Sequence, residues 1–270
     1  MALTDLRPTL DRRARHAARQ ADYWLTLYKR TWRGSVITSF VTPLLYVVAM
    51  GVLLGGYIEG DPDQLEGATS YLAFVAPGLV AAQAMQMVVG EMTYPVMGMV
   101  KWQRIAFGMT ATPLDAVDVI NAHLGFVLFR LATVCGVFML VMAPFGVYAS
   151  VGGALAAFVV QLLIGLAFAT TVYGLSAGLK DEGAFALVFR LGVIPLFLFS
   201  GAFFPIENLS GWMEQLAKLT PLWHGVDLTR MLTLDTLDGS RAAVHVAYLV
   251  VMAVLGYGWA CRRLTRRLVS

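Results

Sequence analysis

Residues 151–179 read VGGALAAFVVQLLIGLAFATTVYGLSAGL and contain no charged side chain. A helix of about 20 apolar residues crosses the roughly 30 Å hydrocarbon core of a bilayer. The apolar residues are continuous and do not alternate with a period of two, which favours a helix over a strand of a barrel. This stretch therefore predicts one transmembrane helix.

Five more runs of the same kind lie on either side of this stretch. The six predicted spans cover residues 35–57, 71–92, 122–143, 151–179, 184–204 and 242–261. They form a transmembrane domain over residues 35–261, preceded by an arm of residues 1–34 and followed by a basic tail of residues 262–270. The first run is longer than the apolar part of a signal peptide, so no signal peptide is expected. The predicted fold class is an all-α polytopic membrane protein with six transmembrane helices.

The composition of the 270-residue chain excludes the other common classes. Hydrophobic residues make up 58% of it and charged residues 14%, and the mean hydropathy is +0.69. Soluble domains carry about 25% charged residues, which help to cover their surface. Disordered chains are poor in hydrophobic residues, so disorder is excluded as well.

The basic residues orient the predicted spans. Sixteen of the twenty Lys and Arg residues lie before span one, around the connections between spans two and three and between spans four and five, and after span six. The opposite connections are poor in bases, and the first of them carries Glu59, Asp61, Asp63 and Glu66. Since basic residues favour the cytoplasmic side, both termini are expected in the cytoplasm.

The arm has a pattern of its own. Its apolar residues recur at steps of three and four, at Leu10, Ala14, Ala17, Ala21, Trp24, Tyr28 and Trp32. This spacing is typical of an amphipathic helix that lies on the cytoplasmic membrane surface or on a partner protein. A basic flank that only fixes topology explains the same residues equally well. The basic charge suits anionic membrane lipid, and no nucleic-acid partner is expected, because nothing in the chain resembles a nucleic-acid module.

One segment of the chain matches the sequence pattern of a catalytic motif. Residues 174–178, GLSAG, match the G-x-S-x-G pattern around Ser176. That pattern exposes its serine on a strand–turn–helix, whereas here it lies inside an apolar helix, with His123 as the nearest expected histidine and no acid to orient it. Packing of small residues between helices is therefore favoured over a hydrolase, and no catalytic residue is assigned.

Cofactor chemistry has no motif in this chain either. The sequence contains no P-loop and no His, Cys or carboxylate cluster with metal-ligand spacing, so no cofactor or metal is expected. Arg190, near the start of span five, is counted with the cytoplasmic connection, and the two other charges within the predicted spans are Glu91 and Arg130. Arg130 is expected to reach the interface, to pair with a neighbour or to contact a lipid headgroup. An alternative function follows, a stand-alone ion-coupled transporter that uses Glu91 and Arg130.

Two connecting segments do not look like simple linkers. After span two, Lys101 and Arg104 are predicted to share a face of a short cytoplasmic helix that also exposes Trp102 and Gln103, a docking element. After span five, Ser210 is predicted to cap a short helix between Pro205 and Pro221. Its apolar face is formed by Leu209, Trp212, Met213, Leu216 and Leu219. This second helix is expected in the outer interface and partly re-entrant, with an ordinary anchoring helix as the competing interpretation.

Four segments carry a resemblance to a known family. They are SYLAFVAPG (70–78), the loop from Gln103-Arg104 to Thr112-Pro113-Leu114, FSGAFFP (199–205) and PLWHGVDLTR (221–230). In this order and spacing, the chain resembles the permease subunits of ABC type 2 exporters, most closely the nodulation-type (NodJ-like) branch. The resemblance covers nearly the whole chain.

The resemblance implies roles for the connecting segments. Lys101, Trp102, Gln103, Arg104 and Phe107 correspond to the helix that couples the permease to its ATPase, although many members carry an acid where Phe107 stands. The arm is similar to the family's connecting helix. The re-entrant outer helices near the substrate exit would include Pro205, Trp212, Pro221, His224, Asp227 and Arg230.

The resemblance also implies partners and a location. The chain would be the membrane subunit of an ATP-driven exporter in the bacterial plasma (inner) membrane. It would pair with two copies of a separate ABC-type ATPase, which bind ATP and Mg, and with a second permease copy as a homodimer or related heterodimer. Substrates of this family are drugs, lipids, lipid-linked oligosaccharides or polysaccharide precursors.

Overall fold

The computed structural model describes Thr26, Tyr28 and Lys29, residues 40–54 and residues 65–269, and the regular structure in these ranges is helical. Helix α1 covers residues 40–54, with π-helical turns over Val47–Leu54. The other helices are α2 (Tyr71–Met92, continued by Tyr94–Met97 and Gly98–Trp102), α3 (Ile105–Thr110), α4 (Ala116–Met142), α5 (Val151–Gly178), α6 (Gly183–Leu198), α7 (Gly211–Lys218), α8 (Pro221–Thr233) and α9 (Gly239–Val269).

Four of these helices are long and apolar enough to cross a membrane, namely Tyr71–Trp102, Ala116–Phe145, Val151–Gly178 and Gly239–Leu268. The predicted all-α membrane fold is thereby confirmed. Helices α1 and α6 are apolar but shorter, at Phe40–Met50 and Gly183–Leu198. The count of six spans and the orientation of the termini stay predictions.

Helix α2 forms the centre of the molecule. It packs against α4, α5 and α8 and is the most deeply buried of the four long helices. Its first turn is capped by Ser70, whose side chain accepts a hydrogen bond from the backbone N–H of Ala73. A cap of this kind satisfies one of the N–H groups that the first turn leaves without a partner. A displacement at either end of α2 therefore changes its contacts with three neighbouring helices, α4, α5 and α8.

Helices α5 and α9 approach each other closely. A β-carbon at Gly174 would lie 2.8 Å from the ring of Trp259, so only glycine fits there. Ser176, two residues further on, is buried and has no hydrogen-bond partner among the described residues. The GLSAG segment thus has the packing role that the sequence favoured.

Several helix ends differ from the predicted spans. Helix α4 begins at Ala116, before residue 122, and α6 ends at Leu198, before residue 204. Helix α9 continues through the basic tail to Val269. Hydropathy locates the apolar part of each helix, whereas Arg and Lys are good helix formers that extend α9 beyond it.

The predicted arm lies outside the described residues except at three positions. Thr26, Tyr28 and Lys29 are helical. The ring of Tyr28 packs edge-on against Phe126 and Phe129 of α4, with centroids 6.3 and 5.8 Å apart. This part of the arm therefore contacts the helix bundle.

Candidate functional site

The polar residues of interest lie at opposite ends of the bundle. One group surrounds Arg230 of α8, where α2 and α9 begin; we call this the Arg230 end. The other surrounds Lys101, where α2, α5 and α9 end; we call this the Lys101 end. Each end contains a cavity lined by charged residues.

Arg230 is the structural centre of its end. Its side chain is buried, with 4% of its surface exposed. It donates hydrogen bonds to the carboxylate of Glu66 (3.1 Å) and to the backbone carbonyl of Gly201 (2.6 Å). A third hydrogen bond reaches the carbonyl of Phe74 (3.3 Å), whose ring lies 4.0 Å from the guanidinium carbon. Burial lowers the pKa of Arg230, and the charge of Glu66 opposes that shift.

These contacts join three of the four segments that carry the family resemblance. Phe74 belongs to the segment 70–78, Gly201 to 199–205 and Arg230 to 221–230. A β-carbon at Gly78 would lie 2.5 Å from Ala202, so the turn after α6 rests directly on the backbone of α2. Gly201 has φ +76°, a conformation that favours glycine, and its carbonyl accepts from Arg230. These three segments are far apart in the sequence, and the buried guanidinium of Arg230, in the third of them, contacts the other two.

A chain of hydrogen bonds lies beside Arg230. Asp227 Oδ2 is 2.8 Å from Nε2 of His245, and Nδ1 of His245 is 2.6 Å from Nδ1 of His224. A carboxylate only accepts, so His245 donates from Nε2. In a neutral His245 the Nδ1 atom is then an acceptor, and His224 must donate to it. The geometry thus assigns both tautomers.

The charges of this chain follow from its neighbours. Burial raises the pKa of Asp227, but the hydrogen bond from His245 and the charge of Arg241, 3.0 Å away, outweigh it and leave the pKa lowered. Burial and the nearby His245 lower the pKa of His224 to about 4. Near neutral pH the chain is therefore a carboxylate and a neutral His224, and it stabilises the contact between α8 and α9.

The cavity at the Arg230 end has a volume of about 520 Å³. Three acids and three bases line it, so its charge is balanced: Glu66, Glu207, Asp227, Lys218, Arg230 and Arg241. Of the residues predicted for an exit region, Asp227 and Arg230 face this cavity and His224 is linked to Asp227 through His245.

The other predicted residues of this end have different places. Pro205 precedes a short turn (Ile206–Asn208), and Pro221 is the first residue of α8, where its missing N–H costs no hydrogen bond. Trp212 lies on α7 and is 69% exposed. The short helix expected between the two prolines is α7, and a second, buried helix, α8, begins at Pro221. Ser210 lies at the N-cap of α7, as predicted, but its side chain makes no capping hydrogen bond.

The Lys101 end contains a break in the helix. Lys101 and Trp102 complete the last turn of the extended α2, and Arg104 has φ +53° before α3 starts at Ile105. The prediction that Lys101 and Arg104 share one helical face was therefore wrong, because the helix that contains Lys101 ends at Trp102, before Arg104. A short helix does exist here, but it is α3. Lys101, Trp102, Gln103 and Arg104 are all exposed, and Phe107 is half-buried.

Lys101 pairs with Glu182 across the start of α6. Its Nζ lies 2.8 Å from Glu182 Oε2, and both side chains remain exposed to solvent. The hydrogen bond from Lys101 lowers the pKa of Glu182. Phe107 lies under the guanidinium of Arg104, with 5.2 Å from its carbon to the ring centroid. Lys101 and Arg104, two of the predicted docking residues, thus have contacts within the chain and remain exposed.

A second cavity of about 460 Å³ opens beside this break. Six bases and no acid line it: Lys101, Arg104, Lys180, Arg263, Arg266 and Arg267. Arg267 also donates to the carbonyl of Ala177, at 3.2 Å, and to that of Leu179, which places a cation at the C-terminus of α5. The residues that line this cavity therefore carry a large net positive charge.

The two charges predicted within the spans form an ion pair. Arg130 of α4 donates from Nη1 to Glu91 Oε1 of α2, and both side chains are partly buried. Of the alternatives left open for Arg130, pairing with a neighbour is confirmed. A buried carboxylate and guanidinium neutralise each other in a region where either charge alone is costly.

Some residues at both ends were not predicted as site residues from the sequence. At the Arg230 end they are Trp223, Arg241 and His245, and at the Lys101 end Lys180, Glu182, Arg263, Arg266 and Arg267. The basic tail was visible as a topological signal only. Nothing in the sequence indicated that α9 would carry these arginines to the end of α2.

Among the residues that the structure describes, no group of His, Cys, Asp and Glu is arranged to hold a metal ion.

The family model described as "ABC-2 type transporter" matches residues 22–234. The chain belongs to the ABC-2 type transporter family. As a member of this family it is a membrane permease subunit of an ABC transporter, and the resemblance seen in its sequence is confirmed.

Curated relatives of this ABC-2 permease cover almost its full length. Nodulation protein J of Sinorhizobium fredii is 28% identical over 257 residues, which span 92% of this chain and 94% of the relative. Nodulation protein J of Rhizobium leguminosarum bv. viciae is 27% identical over 256 residues, 91% of this chain and 95% of the relative. These similarities place the permease in the NodJ-like branch.

Proposed function

We propose that this ABC-2 permease is the export subunit of an ATP-driven transporter in the bacterial inner membrane, powered by a separate ATPase that binds ATP and Mg. In this proposal six helices cross the membrane, with α1 and α6 added to the four long ones, and both termini face the cytoplasm. Two permease copies, or one copy and a related partner, pair with two ATPases. The cargo is amphipathic: a drug, a lipid or a glycolipid or oligosaccharide.

The exposed helix break at the Lys101 end carries this proposal. Trp102 is 51% exposed, although large aromatic residues usually bury most of their surface. The break continues directly into α2, the most buried long helix, which packs against α4, α5 and α8. A partner that moves Trp102 and Gln103 therefore moves the centre of the bundle. Coupling of this kind needs an element with two arrangements that both sites bias.

The test is a charge reversal at the break. Arg104→Glu in the full chain, co-expressed with the ATPase encoded for it, is expected to reduce the co-purified ATPase and the effect of the permease on ATP hydrolysis. Arg262→Glu, at an exposed base of α9 that does not line the cavity of this end, is the matched control and should leave both unchanged. Normal assembly and normal coupling in Arg104→Glu would contradict the proposed docking site.

The same preparation distinguishes the stand-alone carrier. Reconstituted permease without an ATPase should not accumulate substrate along a proton or sodium gradient. Transport under those conditions, abolished by Glu91→Gln, would instead favour an ion-coupled transporter that uses Glu91 and Arg130. The ion pair between these residues predicts that Glu91→Gln lowers stability, because the substitution removes the carboxylate that pairs with Arg130.

A further inference from the structure

The cavity at the Lys101 end is lined by six bases and no acid. Four of its bases, Arg104, Lys180, Arg263 and Arg266, form no ion pair with any described residue. Like charges that converge on one cavity repel each other, so this arrangement persists at a cost unless an anion compensates it. We propose that this cavity binds the phosphate group of an anionic phospholipid from the surrounding bilayer.

The geometry of the cavity fits a phosphodiester. Its lining combines the apolar residues Val100, Phe107 and Ala177 with six guanidinium and ammonium groups. Guanidinium groups bind phosphate oxygens through paired N–H donors. The side chain of Arg263 is exposed and passes close to Gly178 at the end of α5, where an added β-carbon would lie 3.2 Å from Arg263 Cδ.

The surface next to the cavity fits acyl chains, which distinguishes a lipid from a soluble anion. Leu255, Trp259, Arg263 and Arg266 follow each other along one face of α9 at helical spacing. Leu255 is 68% exposed, and the guanidinium carbon of Arg263 lies 5.9 Å from the ring centroid of Trp259. An apolar surface thus leads along α9 to an interfacial tryptophan and then to the bases. Basic pockets of this kind between transmembrane helices bind anionic headgroups.

Among the residues that the structure describes, no acid lines this cavity. Glu182 pairs with Lys101 but does not line the cavity. The predicted arm, residues 1–34, contains eight bases against three acids, and every charged residue of the tail, 262–270, is a base. Anionic headgroups are present at the ends of membrane-spanning helices and can supply the compensating charge.

The experiment measures lipid binding by the full-length chain in neutral detergent. Phosphatidylglycerol or phosphatidylcholine is titrated in, and bound lipid is counted by native mass spectrometry while thermal unfolding is followed. The wild-type chain is expected to bind phosphatidylglycerol in preference to phosphatidylcholine. Arg263→Gln/Arg266→Gln should bind phosphatidylglycerol roughly thirtyfold more weakly, since each base near an anionic surface contributes about a factor of five.

Two variants control for net charge. Lys29→Gln/Arg262→Gln removes two exposed bases that do not line the cavity and should bind the lipid as the wild type does. Arg263→Lys/Arg266→Lys keeps the charge and should restore most of the binding. Equal loss in both Gln variants would overturn the proposal, as would equal binding of the two lipids.

Two other partners for the bases are tested, inorganic phosphate in the same titration and the ATPase in a separate co-purification. Inorganic phosphate that displaces phosphatidylglycerol at equal concentration would overturn the lipid assignment. So would loss of the ATPase from Arg263→Gln/Arg266→Gln in phosphatidylcholine, with phosphatidylglycerol binding unchanged, because the cavity would then be a protein interface. The lipid titration contains no ATPase, so its result is independent of the docking test at Arg104.

Discussion

The two ends of the bundle use similar side chains in opposite ways. At the Arg230 end three acids face three bases, and the central cation is buried among carbonyls, a carboxylate and an aromatic ring. At the Lys101 end six bases line a cavity without an acid, and the residues of the helix break are exposed. A buried, balanced cluster holds helices together, whereas an exposed, unbalanced one is suited to binding. Substitutions at the first end should therefore change stability, and those at the second should change binding.

The largest expected effect is that of Arg230→Ala. It removes the partner of the solvent-accessible Glu66 and the donor to two backbone carbonyls inside the protein, and each buried carbonyl left without a donor costs about 1–3 kcal/mol. The expected result is a large fall in the midpoint of thermal unfolding in detergent and poor recovery from membranes. Arg104→Ala, an exposed arginine at the other end, is the control. Similar unfolding midpoints for the two variants would remove the distinction between the ends.

The next effect is a dependence of stability on pH at the Arg230 end. The pKa of His224 lies at about 4 in the folded chain, below its usual 6.5, so the unfolded chain binds an extra proton between these values. Stability should therefore be complete above about pH 6.5 and be lost as the pH falls towards 4. The measurement is the unfolding midpoint as a function of pH in wild type and His224→Gln. The variant should have the flatter curve, and parallel curves would show that His224 is not responsible.

Gly201→Ala tests the turn that presents its carbonyl to Arg230. An alanine at φ +76° costs about 1–2 kcal/mol, and its β-carbon would also meet Ile206 at 3.0 Å. A moderate fall in the unfolding midpoint is expected. The matched control is Gly125→Ala in α4, where no atom lies within 4 Å of the added carbon and helix propensity favours alanine. Its midpoint should be unchanged or slightly higher.

The smallest effect on stability is expected for Lys101→Ala. The pair with Glu182 is exposed on both sides, and water screens such pairs. The unfolding midpoint should stay within the error of the measurement, although contact with the ATPase is reduced. A clear loss of stability would mean that the Lys101 end, too, is a structural cluster.

The sequence was sufficient for the elements that depend on local composition. Residues 71–92 and 151–179 are apolar enough to define their helices, and the motifs of 70–78 and 221–230 identified the family. The break after Trp102 was not predictable, because residues 98–110 have no strong stop signal and Arg104 adopts a conformation that is unusual for its type.

The clusters at both ends depend on tertiary contacts, which a single sequence does not contain. Arg230 was selected as a motif residue, but its contacts with Glu66 and Gly201 join segments far apart in the chain. His245 lies in an apolar run of α9 and gave no signal of its link to Asp227. Similarly, Arg263 and Arg266 were read as charges that set topology, and only the packing of α9 on α5 brings them to the cavity.

Accessibility at Gln103 tests the central claim most directly. Gln103→Cys is placed in a chain whose Cys135 and Cys261 are replaced by alanine, and a membrane-impermeant maleimide is applied to right-side-out and inside-out vesicles. The proposed function predicts labelling of Gln103→Cys in inside-out vesicles only and protection when the ATPase is bound. Leu237→Cys, exposed at the Arg230 end, should be labelled from the outside whether or not the ATPase is present. Labelling of Gln103→Cys from the outside, or undiminished labelling with the ATPase bound, would contradict the claim that the Lys101 end docks the ATPase.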